Sequence, residues 1–193
     1  RAGYVAATWS WNGARWTELL PASSPPPGSA GCAGYDAVTK QVVVYGLVDI
    51  DGVTVMKDPN TWTWDGTSWA PHLVSPAPPS PSIDCQMAFD PNSGDVLLTV
   101  TDVPGVGGIE TWLWDGESWT QRPGSGPPAA SSAGPTMVYD EALGRVVLYY
   151  GLPACDSSVA CSPGGPISQT WSWNGDSWTL EPTDAAPTPR VDA

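Results

Sequence analysis

Three kinds of side chain in this sequence could do chemistry, and their spacing limits which chemistry. Aspartates recur at the ends of apolar runs, as GYD (34–36), AFD (88–90) and VYD (138–140). Glycoside hydrolysis needs two carboxyl groups roughly 5–10 Å apart, so Asp36, Asp90 and Asp140 would have to converge. Each precedes a short polar turn (AVTK, PNSG or EALG), where an aspartate accepts hydrogen bonds from its own backbone. Turn formation is the expected role. Asp49 and Asp51 in DIDG, with Asp58 beyond them, are the candidates for calcium, a hard cation that takes several oxygens. Two carboxylates in one loop read first as a solvated turn. The lone histidine, His72, follows a strand and is expected at the surface. Zinc ligation by the cysteines is the competing reading, disfavoured by the single histidine and the lack of a C-x-x-C pair.

The tryptophans are the third kind. All twelve stand in four near-copies of one phrase: TWSWNGARW (8–16), TWTWDGTSW (61–69), TWLWDGESW (111–119) and TWSWNGDSW (170–178). An exposed indole can stack on a sugar ring, but a single site would not need the same three rings at the same register four times. A packing requirement would. Trp9, Trp11 and Trp16 are therefore expected in the core, as are Trp62, Trp64, Trp69, Trp112, Trp114, Trp119, Trp171, Trp173 and Trp178.

The elements that position these rings follow from local pattern. Asp-Gly or Asn-Gly inside each copy is a strong hairpin signal. Taken as a two-residue type I′ turn, Asp65-Gly66 pairs Trp64 with Thr67, Thr63 with Ser68 and Trp62 with Trp69. Trp62, Trp64 and Trp69 then share one face. Before each later copy come two strand-like runs, the second being QVVVYGL (41–47), DVLLTV (95–100) or RVVLYYGL (145–152). Four antiparallel strands thus recur about every 50 residues, with no helical periodicity, which describes the blades of an all-β propeller. The expected division is an outer hairpin (1–27), three blades (28–79, 80–127 and 128–186) and the start of another (187–193).

The repeated Y-D, V-V-L-Y-G and T-W-x-W-D-G-x-x-W elements resemble kelch-type repeats of the bacterial variety related to the galactose oxidase central domain. That resemblance implies a β-propeller and covers essentially the whole chain. The second-strand glycine pair is reduced to Gly46-Leu47 and Gly151-Leu152, and the arginine before the first strand is replaced by Gly28, Ser82 and Ser132. The copper site of galactose oxidase, as the resemblance implies it, takes two tyrosines, two histidines and a modified cysteine. One histidine cannot supply it, so no cofactor is expected.

Bulk composition narrows the partners. Gly 21 and Pro 22 in 193 residues predict many turns. Seven basic against 20 acidic residues give a net charge of −13, which repels nucleic acid and anionic lipid. No apolar run approaches the roughly 18 residues of a membrane-spanning helix. Four cysteines suit a secreted protein with two disulfides. Cys32 and Cys85 hold equivalent places in neighbouring blades and are expected to staple them, leaving Cys155 and Cys161 to close a local loop. The start at Arg1 suggests a processed product or a fragment. Three and a half blades leave apolar faces open, which a longer propeller or a second chain completing one ring would cover.

Variable loops on a rigid frame are where recognition usually resides. The loops between second and third strands (48–60, 101–110 and 153–169) carry Asp49, Asp51, Lys57, Asp58, Asp102, Glu110 and Asp156, which favour a polar or cationic partner. The expected function is a secreted, non-enzymatic module that binds a protein or glycan through these loops. The alternatives are the scaffold of a carbohydrate-active enzyme whose catalytic residues lie elsewhere, and a structural subunit of a surface assembly.

Overall fold

The computed structural model describes residues 6–29, 31–50, 55–79, 85–101, 109–123, 127, 135–152 and 167–182. Every regular element among them is a strand, so none is a helix long and apolar enough to cross a membrane. A first hairpin consists of β1 (Thr8–Trp11) and β2 (Trp16–Leu19). Then come β3 (Gly28–Ser29), β4 (Cys32–Asp36), β5 (Gln41–Tyr45), β6 (Val48–Ile50), β7 (Val55–Lys57), β8 (Thr61–Trp64) and β9 (Trp69–His72). The next period supplies β10 (Cys85–Asp90), β11 (Asp95–Val100), β12 (Glu110–Trp114) and β13 (Trp119–Arg122). The last supplies β14 (Thr136–Asp140), β15 (Arg145–Leu152), β16 (Ile167–Trp173) and β17 (Trp178–Glu181).

Three sheets are four-stranded antiparallel meanders: β4-β5-β8-β9, β10-β11-β12-β13 and β14-β15-β16-β17. We refer to them as the first, second and third blades. The first blade departs from the expected plain loop between its second and third strands. There β6 and β7 form a hairpin, and β6 pairs with β3 from the preceding proline-rich crossing. The crossing and the loop are thereby joined in one small sheet.

The hairpin register also differs from the two-residue turn. Trp64 pairs with Trp69, Thr63 with Ala70 and Trp62 with Pro71, so the connection is four residues, Asp65 to Ser68. A type I′ turn would put Asp65 at positive φ, yet Lys40 is the one non-glycine with positive φ among the described residues. Instead the Asp65 carboxylate accepts the amides of Thr67 and Ser68, both at 2.7 Å. Asn12, Asp115 and Asn174 make the same pair of bonds. The slip is two residues. A slip of one would turn every side chain over, but a slip of two leaves the faces unchanged. The three tryptophans of each copy still share a face.

Packing shows what that face meets. In the second blade one face carries Val96, Leu98, Trp112, Trp114 and Trp119, which cluster with Val43 and Tyr45 of the first blade. The opposite face carries Leu97 and Leu113, which cluster with Val146, Leu148, Trp173 and Trp178 of the third blade. Each tryptophan face thus covers the blade before it. A hydrogen bond marks every join, from the last tryptophan of one copy to the first threonine of the preceding copy. Trp69 Nε1 donates to Thr8 Oγ1 at 2.9 Å, Trp119 Nε1 to Thr61 Oγ1 at 2.7 Å, and Trp178 Nε1 to Thr111 Oγ1 at 2.9 Å. Within each copy the second and third rings also pack together, with centroids 5.2–5.5 Å apart.

The first copy breaks the expected pattern. Trp9, Trp11 and Trp16 are 52%, 51% and 60% exposed, not core. Their hairpin turns its threonine side to the first blade, so its tryptophan side points away from the stack. A disulfide joins Cys32 on β4 to Cys85 on β10, with Cα atoms 5.9 Å apart, between the first strands of neighbouring blades. Cys155 and Cys161 lie outside the described residues.

Candidate functional site

The blades have two rims, and chain direction sets which connections emerge on each. One rim carries the turns after the first strands and the Asp-Gly or Asn-Gly turns. Its aspartates are used locally: Asp36 accepts the amides of Val38 and Thr39, and Asp140 those of Ala142 and Leu143. Asp90 does the same with Asn92. Gly116 shows how closely neighbouring turns approach. At φ +100° a side chain is strained, and a Cβ there would lie 2.9 Å from Thr39 of the first blade.

Electrostatics on this rim serve the turns too. Hydrogen bonds from Ser68 and Thr67 hold the Asp65 carboxyl below its ordinary value. Burial pushes Asp115 up, but bonds from Ser118 and Glu117 outweigh it and the net shift is downward. Burial raises Asp95, with Asp115 and Asp90 adding to the effect against Ser93 and Arg122.

The other rim carries a cavity of about 400 Å³ lined by Ser24, Pro26, Lys57, Asp58, Pro59, Asn60 and Trp62. Ser24 and Pro26 come from the crossing after the first hairpin. The rest come from the loop between the second and third strands of the first blade. Asp58 organises the site. Its backbone N–H donates to Leu47 O at 2.9 Å. Its Oδ1 accepts the Asn60 backbone N–H at 3.0 Å and Asn60 Nδ2 at 2.6 Å, while Oδ2 accepts Trp62 Nε1 at 2.6 Å. A buried carboxylate satisfied this way fixes its neighbours in place. The cavity therefore combines an indole that is held and largely buried, at 8% exposed, an amide with hydrogen-bonding capacity left over and an exposed ammonium group at Lys57.

Of the residues singled out from the sequence, the structure brings Lys57 and Asp58 together here. Glu110 belongs to the second blade, where its carboxylate accepts Trp112 Nε1 at 2.9 Å. It does for Trp112 what Asp58 does for Trp62, and Gln169 does likewise for Trp171 at 3.1 Å. Asp49 lies on β6, paired with Gly28, and its side chain is outside the description. Asp51, Asp102 and Asp156 lie outside the described residues. For calcium, the Asp58 oxygens already accept N–H donors. Among the described residues no group of three or more His, Cys, Asp or Glu side chains is placed to hold a metal.

Sequence reasoning missed Asn60, Trp62, Ser24 and Pro26 as cavity residues. A signal was present, because an acid or amide precedes the first tryptophan of each later copy, as Asp58, Glu110 and Gln169. His72 also differs from expectation. It is half-buried, with Nε2 2.9 Å from Thr63 Oγ1 and its ring edge-on to Trp114 of the next blade at 5.8 Å.

A fungal lectin from Aleuria aurantia, a six-bladed β-propeller with a fucose recognition mode, matches at a TM-score of 0.50 and 17% identity, over 91% of this chain. The fold is a β-propeller. This chain spans 54% of that lectin. A fucose lectin from Kordia zhangzhouensis, solved with methyl-fucoside, matches at a TM-score of 0.39 and 15% identity, over 82% of this chain and 100% of its own. No family model matches, so the kelch-type kinship has no family match behind it, and no curated protein matches either.

Proposed function

We propose that this propeller is a secreted, non-enzymatic module that binds a neutral glycan in the Asp58 cavity. The observation that carries the reading is the cavity's chemistry: an indole and an amide fixed by one buried carboxylate, on the variable rim of a rigid frame. Sugar sites need an apolar surface for a ring face and a few polar groups of fixed direction. The Cys32–Cys85 disulfide supports an oxidising compartment. The Aleuria aurantia propeller recognises fucose, which supports the class of ligand, while the sugar is selected by this site's own residues. A net charge of −13 disfavours sialylated and sulfated glycans. Asp36 and Asp140, the carboxylates that could have suggested hydrolysis, are engaged by their own turns.

A glycan array probed with the whole chain tests this reading. Neutral glycans are expected to bind, with no dependence on calcium chelation and no hydrolysis. Asn60→Ala should weaken binding of the best neutral glycan about tenfold, the loss of one well-directed hydrogen bond. Binding unchanged in that variant would overturn the cavity as the site, and binding abolished by Trp16→Phe instead would move it to the exposed hairpin.

A further inference from the structure

The stack has two unlike ends. At one end, the face with Trp9, Trp11 and Trp16 is more than half exposed. At the other is the threonine face of the third blade, where Val147, Tyr149 and Thr170 are each only partly buried. Their counterparts inside the stack are Val43, Tyr45 and Thr61 on the first blade and Leu97, Thr99 and Thr111 on the second, all buried. The two open faces are the donor half and the acceptor half of a join the molecule makes three times. Trp69, Trp119 and Trp178 each donate to a threonine of the preceding copy. Trp16 occupies the same place in its copy, and Thr170 is the matching threonine.

We propose that these two faces are halves of one further join, filled head to tail by a second copy of this chain. The Trp16 indole of one copy donates to Thr170 Oγ1 of the other, and the three rings cover Val147 and Tyr149. Glu181 pairs with Thr170 as His72 pairs with Thr61, and His72 lies edge-on to Trp114, the middle ring of the next copy. In the new join Glu181 would therefore face Trp11. Glu181 also accepts Ser172 Oγ, and its partly exposed ion pair with Arg145, at 3.5 Å, is weak enough to rearrange. A second copy is the occupant because it offers the same face that each internal join already accepts. The contact is heterologous, since the two surfaces differ.

The native mass of the 193-residue chain, followed over a concentration series, is the first test. Particles larger than 20.2 kDa are expected. Thr170→Arg blocks the acceptor half, and Trp9→Ser/Trp11→Ser/Trp16→Ser removes the donor half, so each variant alone should be monomeric. Mixed together, they should form a discrete two-chain particle, because each keeps the half the other lacks. That recovery also shows that both variants are folded. The milder Trp16→Phe should weaken self-association roughly fivefold to tenfold. A wild-type monomer at every concentration overturns the proposal, as does self-association of either blocked variant alone, which would mean contact between like faces.

Discussion

The first and third copies of the tryptophan phrase keep the same threonine, glycine and three tryptophans and differ almost completely in circumstance. Trp114 and Trp119 are 0% and 1% exposed, buried against the first blade, whereas Trp11 and Trp16 stand in solvent. Both copies fold into the same four-residue connection and bring their second and third rings to nearly the same separation. The hairpin is therefore local, and burial of its rings is not. What the phrase encodes is a hairpin with one aromatic face, and its neighbours decide whether that face is buried or left exposed.

The largest test of that contrast replaces one ring in each place. Trp119→Ala should cost about 3–5 kcal/mol in denaturant unfolding, as expected for a buried tryptophan. Trp16→Ala should cost less than about 1 kcal/mol when the chain is dilute. Equal losses would mean that the first hairpin's face is covered in solution. Next in size is the disulfide, which ties the first and second blades while no such bond holds the first hairpin. Removing it by Cys32→Ser/Cys85→Ser should cost about 2–4 kcal/mol, since a separation of 53 residues closes a long loop in the unfolded chain. Limited proteolysis of the reduced protein should then cut between the first two blades before it cuts between the second and third.

Smaller than the loss of a buried ring or of the disulfide is an alkaline effect at the same join. Tyr45 is buried beside Trp119, and its hydroxyl donates to Pro78 O. Burial pushes its phenol up to about 12, from an ordinary value near 10. Below pH 10 the proton is held in both folded and unfolded chains. As pH rises from about 10 to 12 the unfolded chain releases it first, so stability falls across that window by on the order of 2 kcal/mol. Tyr45→Phe should flatten this part of the pH profile, and an unchanged slope would place the titration elsewhere.

Much of the frame was legible from residue pattern because it depends on short-range geometry. Alternation along WxW put the rings on one face whichever turn joined the strands, and so the wrong register still led to the right face. Asp36 and Asp140 were readable as turn formers because an aspartate before a polar turn meets its own backbone amides. The equivalent places of Cys32 and Cys85 in successive repeats foretold their bond. The cavity was only half legible. Lys57 and Asp58 were chosen for charge in a variable loop, but Ser24 and Pro26 reach it from a crossing more than 30 positions earlier, drawn in as β3 pairs with β6.

The sequence by itself determined a repeated four-strand unit with one aromatic face, because strand periodicity and turn chemistry act over a few residues. Tertiary structure decided which aromatic faces are buried, that each covers the blade before it, and that Asp58 locks Asn60 and Trp62 into one site. Burial and long-range hydrogen bonds depend on what another part of the chain brings alongside, and that is a property of the stack as a whole.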